Sequence, residues 1–321
     1  MSLLSLDILE GKTSKYETNH IHMIVDGEIS FPVTNMNNKQ YSTFFHEYIH
    51  YVQHLTTLFG VKICTMYNKM FILYVDYLRN NKEVKLPLEL WKENNGLMNF
   101  ISTFNNIKGD KSCIHRIDEV EISLIEISAA KNNRCAVQIG LYDFENDKAI
   151  EHGFKFGYTC IIESMAHLIQ SLINEELYHS TIPYCSAELI FKTIYAEKSH
   201  DKKMIISLCF CSLMFDNPGV AFFEMINYSK NNPELNGYEI YKKLIKDHSV
   251  KYNGEEMPMY RTLCMFLDEF KVTINQAIGC ELNYYDKVIE NCKNEIKSAS
   301  NVLLDILYNA DISDKRCFQR Y

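Results

Sequence analysis

The chain has 321 residues, 47 % of them hydrophobic and 23 % charged, with a formal net charge of -8. That length allows a full core in one large domain or two smaller ones, and the acidic balance argues against nucleic acid or an anionic membrane as the main partner. Eleven cysteines, an odd number with no CxxC pair, point to reduced thiols in the cytoplasm rather than a secreted disulfide framework.

Met1-Ser-Leu-Leu-Ser-Leu-Asp-Ile-Leu-Glu10 has no basic start and meets acids early, so no signal peptide is expected. A hairpin is expected over His20–Val33, because Asp26-Gly27 sits between β-rich runs and favours a tight turn. The run Tyr41 to Phe59 places Phe45, Tyr48, Ile49, Val52, Leu55 and Phe59 at helical spacing, with Ser42 or Thr43 at its start and Gly60 at its stop. A second helix is expected over Val61–Arg79, followed by looser connections through Pro87 and the Asn-rich stretches to Asn106.

Ile114–Ser128 reads as a strand, and Cys135–Phe144 with Ala149–Phe156 as a second hairpin about Glu145-Asn-Asp-Lys148. From Tyr158 the pattern turns helical: Tyr158–Tyr178, Ser186–Glu197, Lys203–Phe215, Val220–Ser229, Tyr238–Asp247, Met259–Ala277 and Tyr284–Tyr308, with breaks at Asn217-Pro-Gly219 and Asn231-Asn-Pro233. The longest apolar run, Met204 to Phe215, falls short of the roughly 20 residues a membrane span needs, and no membrane association is expected. The fold class is α+β: a small mixed or antiparallel sheet packed on the Tyr41–Phe59 helix, then a mainly helical C-terminal half. Residues 1–157 form the strand-containing part and 158–321 the helical part, expected to make one continuous catalytic unit.

The Tyr41–Phe59 helix carries His46-Glu47-Tyr48-Ile49-His50, which is HExxH. Histidines four apart stand about 6 Å apart on one helix face, so both imidazoles can reach one ion at the ~2.0–2.1 Å of a Zn–N bond. Glu47 can then lie beside the metal-bound water and take its proton. No Lys or Arg occurs between Lys39 and Lys62, so the helix is expected to be enclosed, and buried histidines and a glutamate need partners that a metal supplies. His54 falls about 12 Å along the axis from His46, at 1.5 Å per residue, too far to share the ion.

The motif resembles the zincin superfamily of zinc metallopeptidases. The metzincin extension is absent, since Gln53 stands where its glycine would be and Thr56-Thr57 where its histidine would fall. A third protein ligand is still required. The stretch from Lys155 to Lys192 is the second without a cation, and its helix carries a polar stripe of Glu163, His167, Gln170 and Asn174. The resemblance to the gluzincin branch, whose third ligand is a glutamate on a downstream helix, implies Glu163; His167, His179, Glu176 and His152 are the other candidates. In that branch an aspartate four residues on orients a ligand histidine, and His167 stands there instead. Zincins often draw an oxyanion donor from a later segment, a place for which Tyr158, Tyr178, His179 and Tyr184 are eligible by position.

The resulting expectation is a cytoplasmic, selective endopeptidase that binds Zn2+ through His46, His50 and Glu163 and uses Glu47 as base on a protein or peptide substrate. Two further readings stand beside it. Glu47-Tyr-Ile-His50 and Glu176-Leu-Tyr-His179 both fit the ExxH pattern of ferritin-like di-iron carboxylate proteins. A catalytically silent interaction protein with structural zinc is the third.

Overall fold

The computed structural model describes residues 14–17, 22–25, 31–84, 86–111, 120–123, 134–143, 148–174 and 179–316. Among them, Lys15–Glu17 (β1) pairs antiparallel with His22–Ile24 (β2), Tyr16 opposite Met23. His22–Ile24, in the first limb of the hairpin expected over His20–Val33, thus pairs with β1, and at the far end of that range Val33 opens a 3-10 turn, Val33–Asn35, preceded by Pro32. Asp26 and Gly27 lie outside the described residues.

Asn38–Thr56 (α1) is the HExxH helix. Its cap is Asn37 rather than Ser42 or Thr43. The Asn37 side chain accepts from Gln40 N–H at 2.9 Å and the Gln40 side chain accepts from Asn37 N–H at 2.9 Å, a reciprocal box that satisfies two otherwise orphaned donors. The helix ends at Thr57, and Leu58–Asn80 (α2) follows at once. Gly60 is inside the first turn of α2 and not a stop. A Cβ there would meet the Gln53 carbonyl oxygen at 2.3 Å, so glycine lets α2 start hard against the last turn of α1.

The Asn-rich stretch is not loose. Asn95–Ile107 forms a helix (α3), capped by Asn94, whose side chain accepts from Leu97 N–H. Val120–Ser123 (β3), Val137–Asp143 (β4) and Lys148–Phe156 (β5) make an antiparallel sheet in the order β3-β4-β5. Only that part of the expected Ile114–Ser128 strand is described. β4 and β5 run as the sequence predicts, Val137 opposite Phe156 and Asp143 opposite Lys148.

Tyr158–Ile173 (α4) leaves β5 through Gly157. A Cβ on Gly157 would lie 2.2 Å from the Ile107 carbonyl oxygen, so this glycine lets α4 begin against the end of α3. The remaining helices are Ser186–Ile194 (α5), Lys202–Ser212 (α6), Pro218–Asn231 (α7), Gly237–Asp247 (α8), Met259–Ile278 (α9), Asn283–Ser298 (α10) and Val302–Asn309 (α11). The expected Tyr284–Tyr308 helix is thus two helices. Ala299 turns left-handed at φ 51° and Asn301 caps α11. Between α8 and α9 an unexpected hairpin forms, Ser249–Tyr252 (β6) with Glu255–Pro258 (β7). Its turn is Asn253-Gly254, both at positive φ, the pair that a two-residue hairpin turn favours.

The fold is mixed α+β and mainly helical. α1 packs on α4, α2 on α9, and α4 on α6, while β5 lies along α4. The sheet resting on the HExxH helix is the two-stranded β1–β2 hairpin; the three-stranded sheet leans instead on α4 and α5. Phe156, fully buried, ends β5 among Phe222 and Phe223 of α7, with ring centroids 5.4 and 5.9 Å away. This anchors the start of α4. The result that matters for function is that α1 and α4 lie side by side. α2 is long and apolar enough to cross a membrane by length and composition, yet it packs on α9 and its free side faces the site described next.

Candidate metal centre

Packing α1 against α4 brings His46, His50 and Glu163 together, with one ligand atom from each lying within 4.8 Å of the others. Glu163 Oε2 is 3.5 Å from His46 Nε2 and 3.6 Å from His50 Nε2. Ligand atoms held tetrahedrally at about 2.05 Å from an ion stand ~3.3–3.4 Å from one another, so the three atoms are already close to the edges of such a site. The two imidazoles are edge to face, with centroids 5.0 Å apart.

The outer hydrogen bonds set which nitrogen faces inward. His46 Nδ1 donates to Gln170 Oε1 at 3.1 Å, and His50 Nδ1 donates to Gln53 Oε1 at 2.9 Å. Each amide oxygen can only accept, so each histidine carries a proton on Nδ1 and turns Nε2 toward Glu163. Gln53 is itself fixed through its Nε2, which donates to the Ile162 carbonyl at 3.1 Å. The orienting duty that the gluzincin resemblance gives to the residue four after Glu163 is thus met seven residues after it, by Gln170, two helical turns along the same stripe. Replacing Gln170 with alanine should weaken metal binding at this cluster about 10–100-fold, the usual loss for such a supporting group. Competition against a chromophoric chelator would measure this, and unchanged affinity would show that Gln170 does not orient His46.

Electrostatics bind the cluster together. Burial alone would lower the pKa of His50, but the Glu163 carboxylate beside it prevails and raises it to about 9. Burial opposes the charge on Glu163 too, and the two histidines overcome it, holding the carboxyl well below its usual range. Glu47 differs. Burial raises its pKa, with His50 and His46 pulling the other way, and it accepts a hydrogen bond from the Tyr16 backbone N–H. It is 7 % exposed and lines the same cleft as Glu163 without belonging to the three-atom cluster. That is the placement a base needs.

The other candidates fall into two groups. His54 is buried behind the cluster: Nδ1 donates to the His50 carbonyl at 2.7 Å, and Nε2 accepts from the Tyr158 hydroxyl at 2.9 Å. Burial lowers its pKa to about 4, so it is a neutral strut. Tyr158 therefore braces α1 through His54, its hydroxyl already committed. His167 and His179 pack against each other with centroids 5.0 Å apart, and His179 Nε2 donates to the same Gln170 oxygen at 3.1 Å. Neither joins the ligand cluster. Burial lowers the pKa of both, that of His167 to about 4. Glu176 and Tyr178 lie outside the described residues, and His152 falls on β5.

Tyr184, one of several tyrosines eligible by position, ends a short helical turn, Thr181–Tyr184, and lines the cleft. Its ring lies 6.2 Å from that of His46 and 4.5 Å from that of His179. Burial, then Glu163 and Glu47, push its pKa up to about 12, so its hydroxyl stays protonated. The cleft measures about 1400 Å³ and is walled by α2, α3, α4 and the loop around Trp91. Comparison with protein-family models, curated proteins and solved structures finds no match.

Proposed function

We propose that the protein is a zinc-dependent peptidase that hydrolyses peptide bonds in the cleft beside His46, His50 and Glu163. The observation that carries this reading is the joint placement of two inward-turned Nε2 atoms, one carboxylate and a separate buried carboxylate, Glu47, on an open cleft. Two imidazoles and one carboxylate make a donor set suited to zinc, with a fourth position left for water. When bound, zinc supplies Lewis acidity to the scissile carbonyl and brings the pKa of its water toward neutrality.

The chain's own groups do the rest. Glu47, beside the cluster and raised in pKa by burial, accepts the water proton and returns it to the leaving amine. Gln170 and Gln53 hold both ligand imidazoles in one tautomer. Tyr184, which lines the cleft and keeps its hydroxyl protonated at neutral pH, is the residue assigned here to donate to the oxyanion as it forms. The nine cysteines among the described residues are all unpaired, which supports a reducing, cytoplasmic setting.

A di-iron centre would require Glu47 itself on the metal and a second ligand set; Glu47 stands beside the cluster rather than in it. The test is hydrolysis of a protein or peptide library by purified protein. Activity should disappear on chelation and return with one equivalent of zinc per chain. Stoichiometric zinc with no hydrolysis of any substrate would favour the catalytically silent reading.

A further inference from the structure

We infer that the cleft takes a peptide segment carrying at least two bulky apolar side chains to one side of the bond cleaved, which makes apolar, extended segments the substrate class; this rests on the peptidase reading above. One cavity contains both Glu47, His50 and Glu163 and the apolar walls, so whatever lies along those walls passes the cluster. Its volume of about 1400 Å³ exceeds the ~300–1,000 Å³ of pockets that enclose a drug-sized ligand. Several residues fit, not one side chain.

The walls are built for apolar contact. Met66, Met70 and Tyr74 of α2 line the cleft together with Phe100 and Phe104 of α3 and with Trp91, between the two helices in sequence. Each of these side chains is only half-buried. Apolar and aromatic walls with a few convergent polar groups are the usual make-up of a ligand cleft. Methionines adapt to varied side chains, and aromatic rings add oriented contacts. The charged groups of the cleft do not compete with this apolar contact: Glu89 is paired with Lys92 at 2.6 Å and Glu163 with His46 and His50, while Lys108 donates to Asn105 at 2.9 Å.

Two fluorescent ten-residue peptides of equal charge, one with a Phe-Leu-rich centre and one with Ser, Thr and Ala there, would test this by anisotropy. Zinc-supplied Glu47→Gln protein lets binding be read without turnover. Each fully buried large apolar side chain is worth about ten- to a hundredfold in affinity, so the apolar probe should bind at least tenfold tighter. Met70→Gln and Phe100→Gln, placed at half-buried positions and checked by thermal melting, should each weaken the apolar probe at least threefold and leave the polar one unchanged; if one variant fails to fold, the other decides. Equal affinity for the two probes, or indifference to both substitutions, would overturn the inference. So would displacement of the apolar probe by oleate at lower concentration than by unlabelled peptide, which would make the cleft a lipid site. Tight, substitution-sensitive binding of the apolar probe, with no cleavage by wild-type protein holding zinc, would leave this inference standing and defeat the peptidase reading alone.

Discussion

His50→Ala protein, purified and dialysed against a zinc-buffered solution, is expected to hold no stoichiometric metal, and the wild-type chain to hold one zinc. Two imidazoles four residues apart on α1 and one carboxylate from α4 make the donor set among the described residues, so removal of one leaves two protein ligands where three are needed. The expected loss exceeds the ~10–100-fold attached to an outer orienting group. Glu163→Gln is the companion variant. It keeps shape, removes the charge that holds His50 at about 9, and should also abolish stoichiometric zinc. Elemental analysis reads both, with circular dichroism to confirm the fold. Full zinc retention by His50→Ala would refute the site, and retention by Glu163→Gln alone would move the third ligand elsewhere.

Proton linkage gives the same site a second signature. The folded, metal-free protein holds a proton on His50 up to about pH 9, above the ~6.5 of an unfolded histidine. That pairing with Glu163 therefore stabilises the metal-free fold fully below about pH 6.5 and ceases to do so as pH rises through about 9. A zinc ligand must be neutral. Zinc affinity should accordingly climb about tenfold per pH unit across that window and level off above it.

How much of this was legible in the residues differs from element to element, for physical reasons. The HExxH helix declared itself through periodicity and the i, i+4 histidines, and the lack of cations from Lys39 to Lys62 correctly implied enclosure: His46, Glu47, His50 and His54 are all buried. Glu163 was reachable by the same cation test applied to α4. α3 was missed because asparagines suggested a loop, yet Leu97, Phe100, Ile101 and Phe104 already stand at i, i+3, i+4 and i+7 behind an Asn94 cap. Asn253-Gly254 likewise spelled a hairpin turn that went unread. Other features have no local signal. Among 21 tyrosines, nothing in the sequence separates Tyr184, packed by the rings of His46 and His179, from Tyr158, bound to His54. Only the closure of the chain after α4 does so. Gln170 was visible as a polar residue on the right face, but its duty depends on the distance between two helices, a tertiary quantity.

The Glu47→Gln variant is expected to fold, to bind zinc with wild-type stoichiometry, and to lose peptide hydrolysis by about 10²–10⁴-fold, the range over which a positioned proton acceptor contributes. Glutamine fills the same volume, so the neighbouring contacts of α1 survive, and its amide can still accept from the Tyr16 backbone N–H. What it cannot do is take a proton from water. Glu47 suits that task because burial raises its pKa while His46 and His50 keep it from rising freely. A carboxylate held in that balance accepts a proton more readily than an exposed one and can still release it to the amine. Its position one residue after His46 turns its side chain off the His46–His50 face while leaving it on the cleft wall. Zinc content and hydrolysis must be measured on the same preparation. Loss of both together would place Glu47 among the ligands and favour the di-iron reading. Loss of neither would assign the proton to another group. Retained zinc with lost turnover is the one result that makes Glu47 the base.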